Sequence, residues 1–200
     1  MSAVLLVIDI QNRYTQPGAP FELPRAPEII DGVNGLAAAA RSAGKPVVWV
    51  HRVVRPQVGP GRRTTRRYGA KGLATFVGDN AELDPRLEIE PDDLVLSKPR
   101  QSSFYESDLD SSLRNMDVRR VFLAGFTTNV CCLATAQDAV ARDYDVVLVD
   151  DLCAALPIPS EDPALAMSAD EVHRATLAFV RHAIGEVVDA AEARALIAGQ

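Results

Sequence analysis

The sequence has few of the features that mark secreted or membrane proteins. It contains only three cysteines in 200 residues. No apolar run approaches the roughly 18 residues that span a bilayer, and the first residues, MSAVLLVIDIQ, lack the basic flank and cleavage site of a signal peptide. The cysteines are too few and too close together for a disulfide framework. We therefore expect a cytoplasmic protein with reduced thiols.

Positive charge is also in deficit. Lysine and arginine number 21 against 27 acidic residues, which gives a formal net charge of −6 and a pI near 5.1. Because phosphate-rich partners require a basic face, we expect neither nucleic acid nor a membrane surface as a partner, and we favour a small-molecule substrate. The length and the 48% apolar content predict one domain over residues 1–200.

The chain alternates short β-branched apolar runs with longer amphipathic stretches, which is typical of βαβ units. This pattern predicts an α/β fold in three α/β/α layers around a doubly wound, mostly parallel sheet of five to six strands. The expected order is 2-1-3-4-5 with a weak last strand at an edge, because it brings the first, third and fourth strands close together. The predicted strands are residues 4–8, 46–51, 93–97, 120–124 and 146–149, with a weaker one near Val187.

Several helices and one loop are also predicted. A crossover helix follows from the spacing of apolar residues from Ile29 to Ala40, and the Ser168/Glu171 and Asp189/Glu192 spacings indicate two later helix starts. An arginine-rich stretch at about residues 52–80 shows no clear periodicity, and we interpret it as a functional or a disordered loop.

Three chemically different side chains follow predicted strands. Asp9 follows the first strand, Lys98 the third and Cys131 the fourth, and ligands bind at this edge of open parallel sheets. A cation and a helix start lower the pKa of a thiol, so Lys98 and the turn at Cys131 are expected to activate it. Asp9 would act as general base and later general acid, while backbone N–H groups of the turn bind the oxyanion.

Each of these residues also has an ordinary structural interpretation. Cys131 and Cys132 are small enough to be core side chains, Asp9 is a common strand-end residue, and Lys98 before Pro99 is consistent with a solvated lysine. Their joint placement at three strand ends favours the catalytic interpretation.

These residues carry a resemblance to the isochorismatase-like cysteine hydrolases. The chain is similar to that family in LLVIDIQNRY, LSKPRQSSFYESDLDSSLR, AGFTTNVCCLATAQDA and SADEVHRATLAFV. The resemblance implies an Asp9, Lys98 and Cys131 triad for amide hydrolysis, with Cys132 as a buried neighbour. It also implies a cis peptide bond between Phe126 and Thr127, oxyanion N–H groups at Thr127 and Cys131, and a homodimer or homotetramer.

The metal pattern of some family members is missing. Nicotinamidase-like members hold a divalent metal through an Asp-x-His pair and a later histidine after the second strand. Here that stretch, VVWVHRVVRPQVGPGRRTTRRYG, contains His51 without the aspartate or the second histidine. Because metal sites need three or more ligands, we predict no metal and name no other cofactor.

The arginine-rich stretch suggests how a substrate is held. Arg52 or Arg55 would pair with an anionic group of the substrate, although contacts with solvent or another subunit also explain these arginines. Further substrate-binding candidates are Gln11, Tyr14, Trp49 and Phe104.

Three functions remain open from the sequence. The favoured one is metal-independent cleavage of an amide, carbamoyl or ureido C–N bond through a thioester. The alternative is isochorismatase-type vinyl ether hydrolysis, which in the family uses the aspartate and lysine without the thiol. The third is a non-catalytic structural or interaction module.

Overall fold

The computed structural model describes residues 2–54 and 59–199. Within them, a six-stranded, wholly parallel sheet forms the centre of the fold, as expected for an α/β protein. Its strands are β1 (Ala3–Ile8), β2 (Val47–Arg52), β3 (Leu94–Lys98), β4 (Arg120–Phe126), β5 (Asp145–Ala154) and β6 (Glu186–Val188).

Helices cover both faces of this sheet and form the outer layers. The Ser168 hydroxyl and the Glu171 side chain make a reciprocal capping box, and Asp189 caps the last helix, so both predicted helix starts are confirmed. The α-helices are α1 (Asn12–Thr15), α2 (Ala26–Ser42), α3 (Arg62–Leu73), α4 (Leu109–Asn115), α5 (Leu133–Val140), α6 (Ala169–Ala183) and α7 (Ala190–Ala198).

The alternation of side chains along each strand divides the core in two. Odd-numbered β1 residues such as Leu5 and Val7 pack with α2 and α7, whereas Val4, Leu6 and Ile8 pack with residues of α4, α5 and α6. Because both faces are covered, β1 is buried along its whole length and consists only of apolar residues.

The strand order differs from the predicted one. The observed order is β3-β2-β1-β4-β5-β6, so β3 lies at an edge beside β2 instead of beside β1. The prediction assumed that Lys98 could meet Asp9 only from a neighbouring strand. The long lysine side chain spans the intervening strand instead, so the direct pairing of β1 with β3 is unnecessary.

The arginine-rich stretch also contains more structure than its sequence pattern suggested. It contains α3, interrupted at Gly69 where the backbone leaves helical geometry, and two short 3₁₀ turns at Ala74–Phe76 and Gly78–Ala81. The strongly polar composition of α3 hides the usual apolar periodicity, which explains why this helix was not predicted.

Candidate active site

Asp9 lies immediately beyond β1 and its backbone adopts an unusual conformation. Its φ of 54° lies in the left-handed region, and its side chain is fully buried. The Asp9 N–H donates to Val50 O at 2.8 Å, and its carbonyl accepts from Gln11 N at 2.9 Å. These backbone hydrogen bonds hold the strained turn that follows β1.

Lys98 reaches Asp9 across β2. It is the last residue of β3 and only 1% exposed, and its Nζ lies 3.0 Å from Asp9 Oδ2. The same ammonium donates to Gln101 O at 2.6 Å. A buried carboxylate with no cation nearby would be strongly unfavourable, so the ion pair with Lys98 offsets part of the cost of burying Asp9.

Cys131 enters the site from a π-helical turn, Thr128–Cys132, that follows β4 and leads into α5. The close approach of β4 to β1 requires glycine at position 125. A Cβ atom there would lie 2.0 Å from Ile8 O, and the φ of this residue is +117°. The peptide bond between Phe126 and Thr127 is cis, as the resemblance implies.

The resting thiol of Cys131 is protonated. Burial, and next the negative charge of Asp9, raise the pKa of the thiol to about 11, and the opposing effect of Lys98 is smaller. This direction is opposite to the one expected from the sequence, where the lysine and the helix start were expected to lower it. The sequence placed a carboxylate beside the cysteine but could not show the extent of its burial, which is the largest cause of the rise.

A cleft of about 640 Å³ opens beside Cys131. Its polar lining is formed by Glu22, Arg52, Arg67, Thr127, Asn129 and Cys131. Both residues expected to supply oxyanion N–H groups, Thr127 and Cys131, therefore face this space. The apolar walls come from Tyr14, Phe21, Tyr68 and Phe76 and from residues 156–159.

Tyr14, one of the predicted substrate-binding residues, lines the cleft close enough to Asp9 for the charge of that residue to act on its hydroxyl. Burial raises the pKa of its hydroxyl, and the negative charge of Asp9 raises it further. The phenol therefore stays protonated at neutral pH and can donate a hydrogen bond into the cleft.

Gln11 is a buried clamp and does not line the cleft. Its amide holds the backbone of Arg52 from both sides, because Oε1 accepts from Arg52 N at 3.1 Å and Nε2 donates to Arg52 O at 3.1 Å. Gln11 also donates to Ala81 O and accepts from the Arg13 guanidinium. The predicted role in direct substrate contact is therefore replaced by a role in positioning Arg52.

Two further candidates lie away from the cleft. Strand alternation directs the Trp49 side chain to the α2 face of the sheet, away from Arg52. There Trp49 is fully buried, and its indole N–H donates to Asp93 at 2.8 Å. Phe104 packs on the opposite face and stacks on Tyr144. Arg55 lies outside the described residues.

Some site residues were missed from the sequence. The 156–159 wall follows β5, and the rule that strand carboxyl ends line the site could have identified it. His173 of α6 was not predicted either, although its Nδ1 lies 2.8 Å from Thr128 Oγ1 at the start of the cysteine turn. Only the tertiary packing of α6 on this turn reveals that contact.

The described part of the chain offers no metal site. Across residues 2–54 and 59–199, no group of three or more histidine, cysteine, aspartate or glutamate side chains is arranged to hold an ion. His51 Nδ1 instead lies 3.2 Å from Ala81 O. The residues therefore do not fit the metal of nicotinamidase-like members.

None of the helices in the described part of the chain is long and apolar enough to cross a membrane.

Comparisons with known proteins agree with this fold. The isochorismatase domain model matches residues 3–192. Ureidoacrylate amidohydrolase RutB of Methylobacterium radiotolerans is 34% identical over 209 residues, covering 94% of this chain and 76% of that protein. A cysteine hydrolase from Pseudomonas syringae pv. phaseolicola superposes with a TM-score of 0.92 at 29% identity, covering 98% of this chain and 92% of the other.

A third comparison concerns the fold alone. N-carbamoylsarcosine amidase from Thermoplasma acidophilum has a TM-score of 0.73 at 24% identity, covering 95% of this chain and 97% of the other.

Proposed function

Because this chain belongs to the isochorismatase domain family, we propose that it hydrolyses a C–N bond of a small amide, carbamoyl or ureido compound. The observation that supports the proposal is the buried ion pair between Lys98 and Asp9, 3.0 Å long, whose two charges act on the thiol of Cys131 in the cleft lining. The names of the ureidoacrylate amidohydrolases and the cysteine hydrolase above support the same reaction class.

Cys131 is the nucleophile in this proposal. The thiol is neutral at rest, so Asp9 takes its proton as Sγ attacks the substrate carbonyl and a C–S bond forms. Lys98 stays beside the carboxylate and keeps its charge balanced as the proton moves. The N–H groups of Thr127 and Cys131 stabilise the oxyanion, and one such donor is worth about 3 to 4 kcal/mol in other acyl-transfer enzymes.

The second half of the reaction releases the products. Asp9 returns the proton to the leaving nitrogen as the C–N bond breaks, and ammonia or an amine departs, leaving a thioester on Cys131. Asp9 then accepts a proton from water, which attacks the thioester carbonyl and expels the thiolate. The thiolate is reprotonated by Asp9, so the enzyme regains its resting state.

Ammonia release from a panel of small amides, ureas and carbamoyl compounds tests this proposal. Cys131→Ala is expected to lower kcat by at least about 10³-fold, in the range found when catalytic nucleophiles are removed. Cys132→Ala is the matched control, because Cys132 is adjacent and fully buried but lies outside the cleft lining. Its activity should stay within a few-fold of the original.

Trapping with hydroxylamine supplies a readout that ammonia release does not. The expected product is a hydroxamate of the substrate acyl group, formed by the original enzyme and not by Cys131→Ala. Full ammonia release by Cys131→Ala together with its loss in Asp9→Asn would contradict the thioester and favour direct attack of water on the amide with Asp9 as the base.

A further inference from the structure

A buried threonine hydroxyl on α5 bonds to a loop instead of to its own helix. Thr135 lies four residues after Cys131 and is fully buried. A threonine hydroxyl within a helix often donates to the carbonyl four residues earlier, as the buried Thr176 of α6 does to Val172 O at 2.8 Å. The Thr135 hydroxyl instead contacts Ser103, which belongs to the loop between β3 and α4. This difference indicates that Thr135 joins two elements.

Both hydrogen-bonding functions of this hydroxyl are used by Ser103. Thr135 Oγ1 accepts from Ser103 N at 3.0 Å and donates to Ser103 Oγ at 3.1 Å. Ser103 is fully buried as well, and its carbonyl accepts from the Ser107 hydroxyl. Because groups at this depth have little access to water, loss of the threonine hydroxyl would leave the Ser103 N–H without a partner. The two bonds therefore fasten the loop to α5.

The same loop supplies an acceptor for the ammonium of Lys98. Lys98 Nζ donates to Gln101 O at 2.6 Å and lies 3.0 Å from Asp9 Oδ2. Pro99, which has no N–H for a sheet hydrogen bond, follows Lys98 directly, so the loop begins there. Gln101 precedes Ser103 by only two residues. The position of the Gln101 carbonyl therefore depends on where Ser103 is attached.

The position of this ammonium matters for the thiol. A lysine carries its charge on a flexible four-carbon stem, so the charge is fixed only by the groups that bind it. The Lys98 charge lowers the pKa of the Cys131 thiol against the larger effects of burial and of Asp9. Because this interaction weakens with distance, a displaced ammonium would stabilise the thiolate less and would balance the Asp9 carboxylate less.

We propose that Thr135 is a positioning residue for the Lys98 ammonium. Its hydroxyl holds the loop at Ser103, and the loop holds the ammonium through the Gln101 carbonyl. The inference rests on the proposed amide hydrolysis, to which it adds a residue outside the cleft lining, but its effect on the thiol needs no substrate. A merely structural threonine would affect stability and leave the ionisation of the thiol unchanged.

Thr135→Val tests the role in hydrolysis. Valine has nearly the same shape as threonine and removes both hydrogen bonds to Ser103. We expect kcat for the best amide of the panel to fall about 10- to 100-fold, because small displacements at a reaction centre cost this much. KM should change by less than about threefold, since Thr135 lies outside the cleft lining. Thr135→Ser keeps the hydroxyl and should restore kcat to within a few-fold.

Thr176→Val is the matched control. Thr176 is also a buried helical threonine, and the variant removes the hydrogen bond from its hydroxyl to Val172 O. Because that bond lies within α6 and not on the loop after β3, kcat should stay within a few-fold of the original even if stability falls. Urea unfolding of both valine variants separates a loss of stability from a loss of activity.

Iodoacetamide labelling of Cys131 tests the effect on the thiol without any substrate. In Thr135→Val, the displaced Lys98 charge should lower the pKa of the thiol less than in the original enzyme. Alkylation at each pH from 7 to 10 should therefore be about 3- to 10-fold slower, as followed by mass spectrometry. Thr135→Ser and Thr176→Val should both keep the original rate.

Ser103→Ala is a milder change that serves if Thr135→Val yields no soluble protein. It removes the Oγ acceptor and keeps the hydrogen bond from Ser103 N to Thr135. Because one of the two bonds remains, kcat and the alkylation rate of Cys131 should each fall by only about two- to fivefold.

The two proposals fail in different ways. Unchanged kcat and unchanged alkylation in Thr135→Val, or in Ser103→Ala if the first variant is insoluble, would overturn the role of Thr135. A fall in kcat without slower alkylation would also overturn it, because the effect would not act through Lys98. Slower alkylation in a protein that hydrolyses no amide of the panel would support the positioning role and count against the amidase.

Discussion

At the scale of single residues, the surroundings of Cys131 determine how its thiol reacts. Burial and the Asp9 carboxylate raise the pKa of this thiol to about 11, so it is a protonated group at neutral pH. Removal of its proton during attack must therefore be assisted. The same carboxylate that opposes ionisation at rest is placed to accept the proton when a substrate carbonyl arrives.

This arrangement separates reactivity with alkylating agents from catalysis. In Asp9→Asn, the charge that raises the thiol pKa is lost, and Lys98 is left without its partner. The pKa of Cys131 should fall by about one unit or more, so the rate of alkylation by iodoacetamide at pH 7.5 should rise about tenfold. Amide hydrolysis should nevertheless be lost, because no base remains to move the proton.

Mass spectrometry of the labelled peptides follows Cys131, Cys132 and Cys153 separately. Asp31→Asn is the control, because Asp31 is exposed on α2 and its loss should leave the labelling rate unchanged. Slower alkylation of Cys131 in Asp9→Asn would contradict the assigned direction of the pKa shift. In the original enzyme the rate should rise about tenfold per pH unit from pH 7 to pH 10.

Gln11 provides a second prediction at this scale. Gln11→Leu removes an amide that satisfies the backbone N–H and C=O of Arg52 and the carbonyl of Ala81. Because those buried groups would lose their partners, the free energy of unfolding should fall by about 2 to 4 kcal/mol. Urea unfolding measures it, with Gln137→Leu on the exposed face of α5 as control. Equal stability of both variants would show that the clamp is unimportant.

At the scale of elements, the close approach of β4 to β1 brings Cys131 to Asp9. The two strands pair in register from Ala3 with Arg120 to Ile8 with Gly125. At the last pair, only glycine leaves room for the Ile8 carbonyl. The glycine that precedes the cysteine turn is therefore required by packing as well as by its backbone angle.

Gly125→Ala tests this requirement. A Cβ atom 2.0 Å from a backbone oxygen cannot be relieved by a side-chain movement, so destabilisation should exceed about 3 kcal/mol or abolish soluble expression. Gly44→Ala is the matched control. Its φ is also positive, at +67°, but nothing lies within 4 Å of the added atom, so we expect a loss of about 1 to 2 kcal/mol. Thermal unfolding compares the two, and similar values would show that the backbone angle alone matters at position 125.

At the scale of the whole molecule, one sheet carries both parts of the core. The single domain predicted over residues 1–200 should therefore unfold in one cooperative transition. Trp49 is the only tryptophan and is fully buried between β2 and α2, so its fluorescence reports on the sheet while far-ultraviolet circular dichroism reports on all the helices. The two unfolding curves should coincide in urea. Separate midpoints would indicate two units.

The predicted homodimer or homotetramer also belongs to this scale and stays a prediction. Light scattering of the purified protein at several concentrations measures it. A mass of 21.6 kDa at every concentration would identify a monomer and contradict the prediction.

Local patterns in the sequence determined much of this protein. Continuous apolar runs predicted five parallel strands, capping residues located the starts of α6 and α7, and polar residues after strands placed Asp9 and Lys98 at one edge of the sheet, where they form an ion pair. These predictions succeeded because side-chain periodicity, capping and the position of a residue at a strand end are local properties. Each can be read from a few consecutive residues.

Tertiary structure alone decided the strand order, the protonation of the thiol and the walls of the cleft. The edge position of β3 depends on where its crossover packs, and strand alternation directs Trp49 away from the site. The pKa of Cys131 depends on burial and on a carboxylate that is more than 100 residues away in the chain. Such properties arise from contacts between distant segments, because desolvation and charge act through space and not along the chain.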